Sequence, residues 1–262
     1  MFRTGAKTVI GMAHLPALPG APRYDRPGGL EKLVDWVRAD VAALQEGGVD
    51  AIMFGNEDDR PYVFEAPPEG LAAMAAVIAA VKPELKVPFG VNYLWDAVGT
   101  VALAVATDAQ FVREIFVGVY AADMGHWEPK GAEALRLRTQ CGRDDLKLLF
   151  NINAEFATTL DTRPIGVRAR SAVFSSLADV ICVSGPMTGQ AADQSDLAAV
   201  KEALPDIPVL ANTGVTAETV GDILGVADGC VVGTSLKRDR VTWNPVDADR
   251  VRRLMDAVAA VR

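Results

Sequence analysis

Eight times along this chain a short run of apolar, often β-branched residues gives way to a longer stretch with helical spacing, and few folds accept that rhythm. The runs lie near Thr8–Ala13, Ala51–Phe54, Phe89–Asn92, Phe111–Ile115, Lys147–Asn151, Val180–Ser184, Val209–Asn212 and Gly229–Val232. Most are apolar throughout rather than alternating, as strands buried on both faces must be. Between them, Leu30, Leu33, Val34, Val37, Val41 and Leu44 recur at three- and four-residue intervals, and Gly47-Gly48 stops that helix. Thr216 reads as an N-cap with Glu218 in the first turn. The last helix starts near Asp247 and packs through Val251, Leu254, Met255, Val258 and Val261. Repeated βα units build a parallel sheet covered by helices.

Such a sheet either stays open or closes. An open, doubly wound dinucleotide fold expects GxGxxG after the first strand. Here that strand runs into His14-Leu15-Pro16-Ala17-Leu18-Pro19-Gly20, a Pro-rich loop without the fingerprint. At 262 residues, half of them hydrophobic, the length admits two smaller domains, but no Pro/Gly/Ser-rich linker divides it. The expectation is α/β: one (β/α)8 TIM barrel spanning residues 1–262.

Composition removes several function classes. A net charge of −8 leaves no clustered cations for nucleic acid or acidic lipid. The most basic stretch, Lys237, Arg238 and Arg240, reads as a solvated loop. Cys141, Cys182 and Cys230 lack CxxC spacing, and the latter two sit in apolar runs, so neither a disulfide framework nor a zinc cluster is expected. The longest apolar stretch, Leu71 to Val81, is too short to span a bilayer. With no apolar signal region in Met1 to Thr8, the expectation is a cytoplasmic protein with no membrane partner.

In a parallel barrel the chemistry gathers at the C-terminal strand ends. The seventh strand ends in Asn212-Thr213-Gly214 and the eighth in Gly233-Thr234-Ser235, so Gly214, Gly233, Thr234 and Ser235 are the candidate phosphate seat. Two ordinary glycine turns are the plainer alternative. His14 after the first strand, Glu57 after the second and Glu114 in the fourth are the candidate acid/base groups. Of Glu57-Asp58-Asp59-Arg60, Asp58 and Asp59 read as solvated or paired with Arg60. Asp96 reads as an N-cap and His126 as a surface residue. Arg113 and Glu114 are neighbours on a strand, so one should enter the barrel and the other face the helices. Asn92, Arg113, Asn151, Asn153, Glu155, Ser184 and Asn212 are candidate substrate contacts, their amides and charges suiting polyol hydroxyls; an internal hydrogen-bond ladder is the alternative for the Asn151-Asn153-Glu155 set.

A Schiff-base aldolase needs a lysine at a catalytic strand end, and Lys147 begins its strand while Lys237 lies beyond the last one. Two histidines poorly supply a multi-histidine zinc or iron site. No GxSxG or Walker motif occurs. No cofactor is expected, and a divalent metal is left open by the acidic loop.

Met12-Ala13-His14-Leu15-Pro16-Ala17-Leu18-Pro19-Gly20, Gly47-Gly48-Val49-Asp50-Ala51, Phe89-Gly90-Val91-Asn92, Val183-Ser184-Gly185 and Ala227-Asp228-Gly229 through Lys237 resemble the BtpA/SgcQ family, in order and over nearly the whole chain. Arg113-Glu114-Ile115-Phe116, Leu149-Phe150-Asn151-Ile152 and Leu210-Ala211-Asn212-Thr213-Gly214-Val215 are similar to its SgcQ-like branch. The resemblance implies a ribulose-phosphate-binding-type barrel. It implies little chemistry: BtpA-like members are associated with photosystem I biogenesis, SgcQ-like ones with sugar-uptake and sugar-metabolism genes. Asn151-Ile152-Asn153-Ala154-Glu155 departs from the BtpA-like pattern at a point where those proteins tend to carry His and Lys.

Two expectations follow. One is an enzyme acting on a phosphorylated sugar-like or nucleoside-like molecule by acid/base chemistry, as an isomerase, a lyase or a nucleosidase-like hydrolase. The other is a non-catalytic assembly or regulatory protein. A homo-oligomer is compatible with both.

Overall fold

Strands that are apolar on both faces find burial in a sheet that closes on itself beneath a shell of helices. The computed structural model describes residues 1–262. In it β1 (Thr8–His14), β2 (Ala51–Gly55), β3 (Phe89–Asn92), β4 (Phe111–Glu114), β5 (Lys147–Asn151), β6 (Val180–Ser184), β7 (Val209–Asn212) and β8 (Gly229–Val232) form a closed barrel. Every neighbouring pair is parallel, and β8 returns to β1 with Gly11 opposite Val232. The helices are α1 (Gly29–Gly47), α2 (Pro68–Val81), α3 (Ala97–Thr107), α4 (Gly131–Gln140), α5 (Ile165–Ser176), α6 (Gln194–Ala203), α7 (Val220–Val226) and α8 (Ala248–Ala259). None is long and apolar enough to cross a membrane.

Of three apolar clusters, two build the barrel, and the third packs Trp95, Ile115, Tyr120, Trp127 and Ala154 together. The larger, of 54 buried residues, lies between helices and strands. The smaller fills the barrel with residues of one parity, among them Ile10, Met53, Phe111, Leu149, Leu210 and Val231. Phe2 packs edge-on to Phe111 at 5.2 Å between ring centres. Cys182 belongs to this interior and Cys230 to the outer core, each a small buried apolar group.

Gly48 ends α1 at φ 88°, where glycine avoids the Cβ clash. Asp96 caps α3 by accepting from the N–H groups of Val98 and Gly99, and Asp247 caps α8 through those of Asp249 and Arg250. Some boundaries differ from the sequence reading. Thr216 opens a turn, with its carbonyl accepting from Thr219 and Val220, so α7 starts at Val220. Val261 lies past the end of α8 and is exposed. A small antiparallel sheet of Tyr120–Ala122, Gly125–Trp127 and Ala157–Thr159 forms from the loops after β4 and β5, unannounced by any long apolar run.

Lys237 corrects the solvated-loop reading. It is fully buried, its ammonium donating to Asp40 of α1 at 2.6 Å, while Asp40 also accepts from the Val246 N–H. Asp59 is corrected too. It is buried and ties three segments together, accepting from Leu18 N–H, the Asn56 amide and the Tyr93 hydroxyl. Asp58 does pair with Arg60, at 2.6 Å.

Candidate functional site

The inward parity that carries the barrel core continues to the strand ends, where its residues turn polar: His14 on β1, Asn92 on β3, Arg113 on β4, Asn151 on β5, Ser184 on β6 and Asn212 on β7. All six are buried. Arg113 is the hub. One terminal nitrogen donates to Asn212 Oδ1 at 2.9 Å, the other to Asn92 Oδ1 at 2.5 Å, and Glu155 Oε1 stands 4.0 Å away. The Asn92 amide in turn donates to Glu114 Oε2 at 2.5 Å. Arg113 and Glu114 therefore both reach the cavity at the barrel axis, against the expectation of opposite faces. Glu114 is the last residue of β4, and Asn92 holds its carboxyl at the rim.

Three carboxyls converge here, and burial is the leading cause that raises each of them. Glu114 and Glu155 are both pushed up to about 7, and Glu57 is also raised. The Thr188 hydroxyl lies 2.9 Å from Glu57 Oε1 and 3.1 Å from Glu155 Oε2. A hydroxyl donates one proton. Both contacts are favourable only if one carboxyl is itself protonated, so geometry and burial agree on a shared proton. His14 moves the other way: burial, then the charges of Lys237 and Arg113, hold it well below 6.5. That favours the uncharged imidazole, the form that can accept a proton.

The glycine loops meet at the same cavity. Gly189, Gly214, Gly233 and Thr234 line it together. Gly214 has φ 64°, and a Cβ there would lie 2.1 Å from the Ala191 nitrogen, so only glycine admits the loop after β6. Thr213 fixes that loop, accepting from Gly185 N–H and donating to the Gln190 carbonyl. The N–H groups of Gly189 and Gly214 donate to no backbone carbonyl.

Other expected contacts are placed elsewhere. Ser235 donates to the Val215 carbonyl and borders a separate surface hollow on the α8 side. Asn153 clamps the Ser184 backbone, donating to its carbonyl at 2.6 Å and accepting from its N–H at 2.8 Å, because β5 has already ended and the alternation with it. The Ser184 hydroxyl accepts from the amides of Asn151 and Asn212. Asn92 and Ser184 hold other side chains rather than lining the cavity. Thr188, Gly189, Tyr62 and Trp95 line it without having been expected. An indole two residues beyond the Tyr93 that follows β3 was the available signal for Trp95.

Four buried polar atoms at this cavity have no partner: His14 Nδ1, Trp95 Nε1, Arg113 Nε and Asn151 Oδ1. Native interiors leave few such atoms. No group of three or more His, Cys, Asp or Glu side chains is arranged to hold a metal ion.

The sequence profile of the BtpA family matches residues 5–260. The chain is 46% identical over 256 residues to the putative sgc region protein SgcQ of Escherichia coli, covering 98% of this chain and 96% of that one. It is 30% identical over 254 residues to the photosystem I biogenesis protein BtpA of Synechocystis, covering 96% and 88%. Among solved structures, (S)-3-O-geranylgeranylglyceryl phosphate synthase from Thermoplasma acidophilum, in complex with substrate sn-glycerol-1-phosphate, superposes with a TM-score of 0.61 over 98% of this chain and 94% of that one. At 13% identity that likeness speaks for the fold alone.

Proposed function

The chain belongs to the BtpA family, nearer in sequence to SgcQ than to BtpA itself, and from that premise we propose that it is an enzyme acting on a small phosphorylated, sugar-like or nucleoside-like molecule by acid/base chemistry. One observation carries the reading: four partnerless buried polar atoms and three carboxyls with raised pKa share one cavity. Leaving buried donors and acceptors unmade costs about 1–3 kcal/mol each, and perturbed carboxyls gather where protons are moved.

In this reading Gly189, Gly214, Gly233 and Thr234 hold phosphate through backbone N–H groups, as loops at these barrel positions do elsewhere. Asn151 offers Oδ1 to a substrate hydroxyl. Glu155, sharing its proton with Glu57 through Thr188, has the pKa near 7 that lets one group both give and take a proton at neutral pH. Glu114 is the second such group. Arg113 stabilises negative charge as it develops on substrate oxygen, and neutral His14 serves as a hydrogen-bonding partner. Isomerisation, elimination and glycosidic cleavage can each be run by groups that give and take a proton in this way.

A thermal-shift screen of sugar phosphates and nucleoside 5′-phosphates tests it, since a ligand of the native state raises Tm. Wild-type protein should respond to at least one compound, and Gly233→Asp, which puts a carboxylate at the phosphate seat, should not. No response by wild type to any of them sinks the reading.

A second reading, a non-catalytic assembly or regulatory protein, is favoured by the bare apolar end of α5, where Phe174 is 89% and Leu177 62% exposed. It predicts partner binding that survives His14→Ala and Glu57→Ala.

A further inference from the structure

Beside the axial cavity lies a larger one, enclosed by the β1–α1 loop, the start of α1 and the loop after β8. Its free volume is about 240 Å3, against about 60 Å3 at the axis. His14 stands in the wall of both. The imidazole leaves Nδ1 buried without a partner. Lys237 also borders the larger cavity, and of its three N–H donors one is used, on Asp40. The sides are aromatic: Tyr24, Trp36 and Trp243. The Arg60 guanidinium lies 3.6 Å from the centre of a Trp243 ring and holds that indole in place.

We propose that this second cavity receives a planar heteroaromatic ring bearing a carbonyl oxygen, so that the ligand is a nucleoside 5′-phosphate with its phosphate at the axial glycine loops. The proposal rests on the phosphate-substrate reading and extends it. Volume is the first argument: the second cavity is the larger of the two and shares the His14 wall with the first, so together they offer more room than a phosphate and a few carbons fill. Chemistry is the second. Aromatic walls favour a flat ring, and the unused donors of Lys237 call for an acceptor oxygen, which an aliphatic tail lacks.

Calorimetric titration of uridine, inosine and adenosine 5′-monophosphates and ribose 5-phosphate, against wild type and Trp243→Ala, decides it. Trp243 is 38% exposed, so its truncation leaves the core intact. Uridine or inosine monophosphate should bind about tenfold tighter than ribose 5-phosphate, with adenosine monophosphate, which carries an amino group in place of the oxygen, behind inosine monophosphate. Trp243→Ala should erase that advantage and leave ribose 5-phosphate unaffected. Equal affinities for ribose 5-phosphate and the nucleotides, adenosine matching inosine, or an advantage untouched by Trp243→Ala overturns the second-cavity proposal while the phosphate site stands. Failure of all four to bind, ribose 5-phosphate included, removes both.

Discussion

The two ends of the barrel interior are built by the same strands and the same alternation, yet they are opposites. On β4 the inward residue is Phe111 and then, one step up, Arg113; on β5 it is Leu149 and then Asn151; on β7, Leu210 and then Asn212. That step is about 7 Å of strand. Below it the side chains are apolar and fully packed. Above it they are polar, buried and in part unpartnered. The lower layer can be stable because nothing there is unmet, and the upper layer can bind because something is. A chain that keeps both has placed its unfavourable groups where a ligand can satisfy them.

If that division holds, damage below should cost stability and spare binding. Phe111 fills the space over Gly90 and meets Phe2, and Phe111→Ala should destabilise by about 3–5 kcal/mol in urea unfolding. Affinity for a phosphorylated ligand, measured on the folded fraction, should change less than about twofold. A parallel loss of affinity would make the two layers one unit. Damage above should do the reverse. Glu155 titrates near 7 in the fold against 4.5 as an unperturbed side chain, so the native state holds the extra proton between those values. Its contribution is therefore full below about pH 4.5, falls as pH rises to about 7, and is lost above. Glu155→Gln should raise stability at pH 8 by about 2 kcal/mol, flatten that fall, and abolish turnover. A variant less stable than wild type at pH 8 would contradict the raised pKa.

What could be read from sequence follows the same line. The eight strands were legible because parallel, doubly buried strands leave continuous apolar runs, and five of the expected spans coincide with β3, β5, β6, β7 and β8 as observed. Arg113 was legible because a charge inside such a run must be paired or functional. Loops that fold over from a distance were not. Thr188 meets Glu57 across 131 residues, in a segment with no periodicity to mark its path. Asn153 misled because alternation was extended past the end of β5. Lys237 was missed, though Asp40 carried a signal: it sits on the apolar stripe of α1 between Val37, Val41 and Leu44, where a carboxylate needs a buried partner.

The proposed phosphate seat can be tested within the upper layer. Gly233 has a negative φ of −121°, outside the left-handed region, and its surroundings limit the space for a side chain. A Cβ there would lie 2.9 Å from His14 Cε1, pushing the imidazole aside and narrowing the anion's seat. Gly233→Ala should weaken phosphate-ligand binding about tenfold and shift stability by less than about 1 kcal/mol. Isothermal titration and urea unfolding on the same preparation separate the two effects.

The smallest change should come one step further along that loop. Ser235 follows Thr234 as the second hydroxyl of this loop, yet the 3-10 turn over Thr234–Leu236 carries its side chain out of the cavity and onto the Val215 carbonyl. Ser235→Ala should cost about 1 kcal/mol for that hydrogen bond and leave ligand affinity within about twofold, measured beside Gly233→Ala. A tenfold loss would mean that the hydroxyl leaves Val215 for the ligand when the site fills. The boundary between the packed and the binding layers would then be drawn by the ligand, and the loop after β8 would belong to the site along its whole first turn.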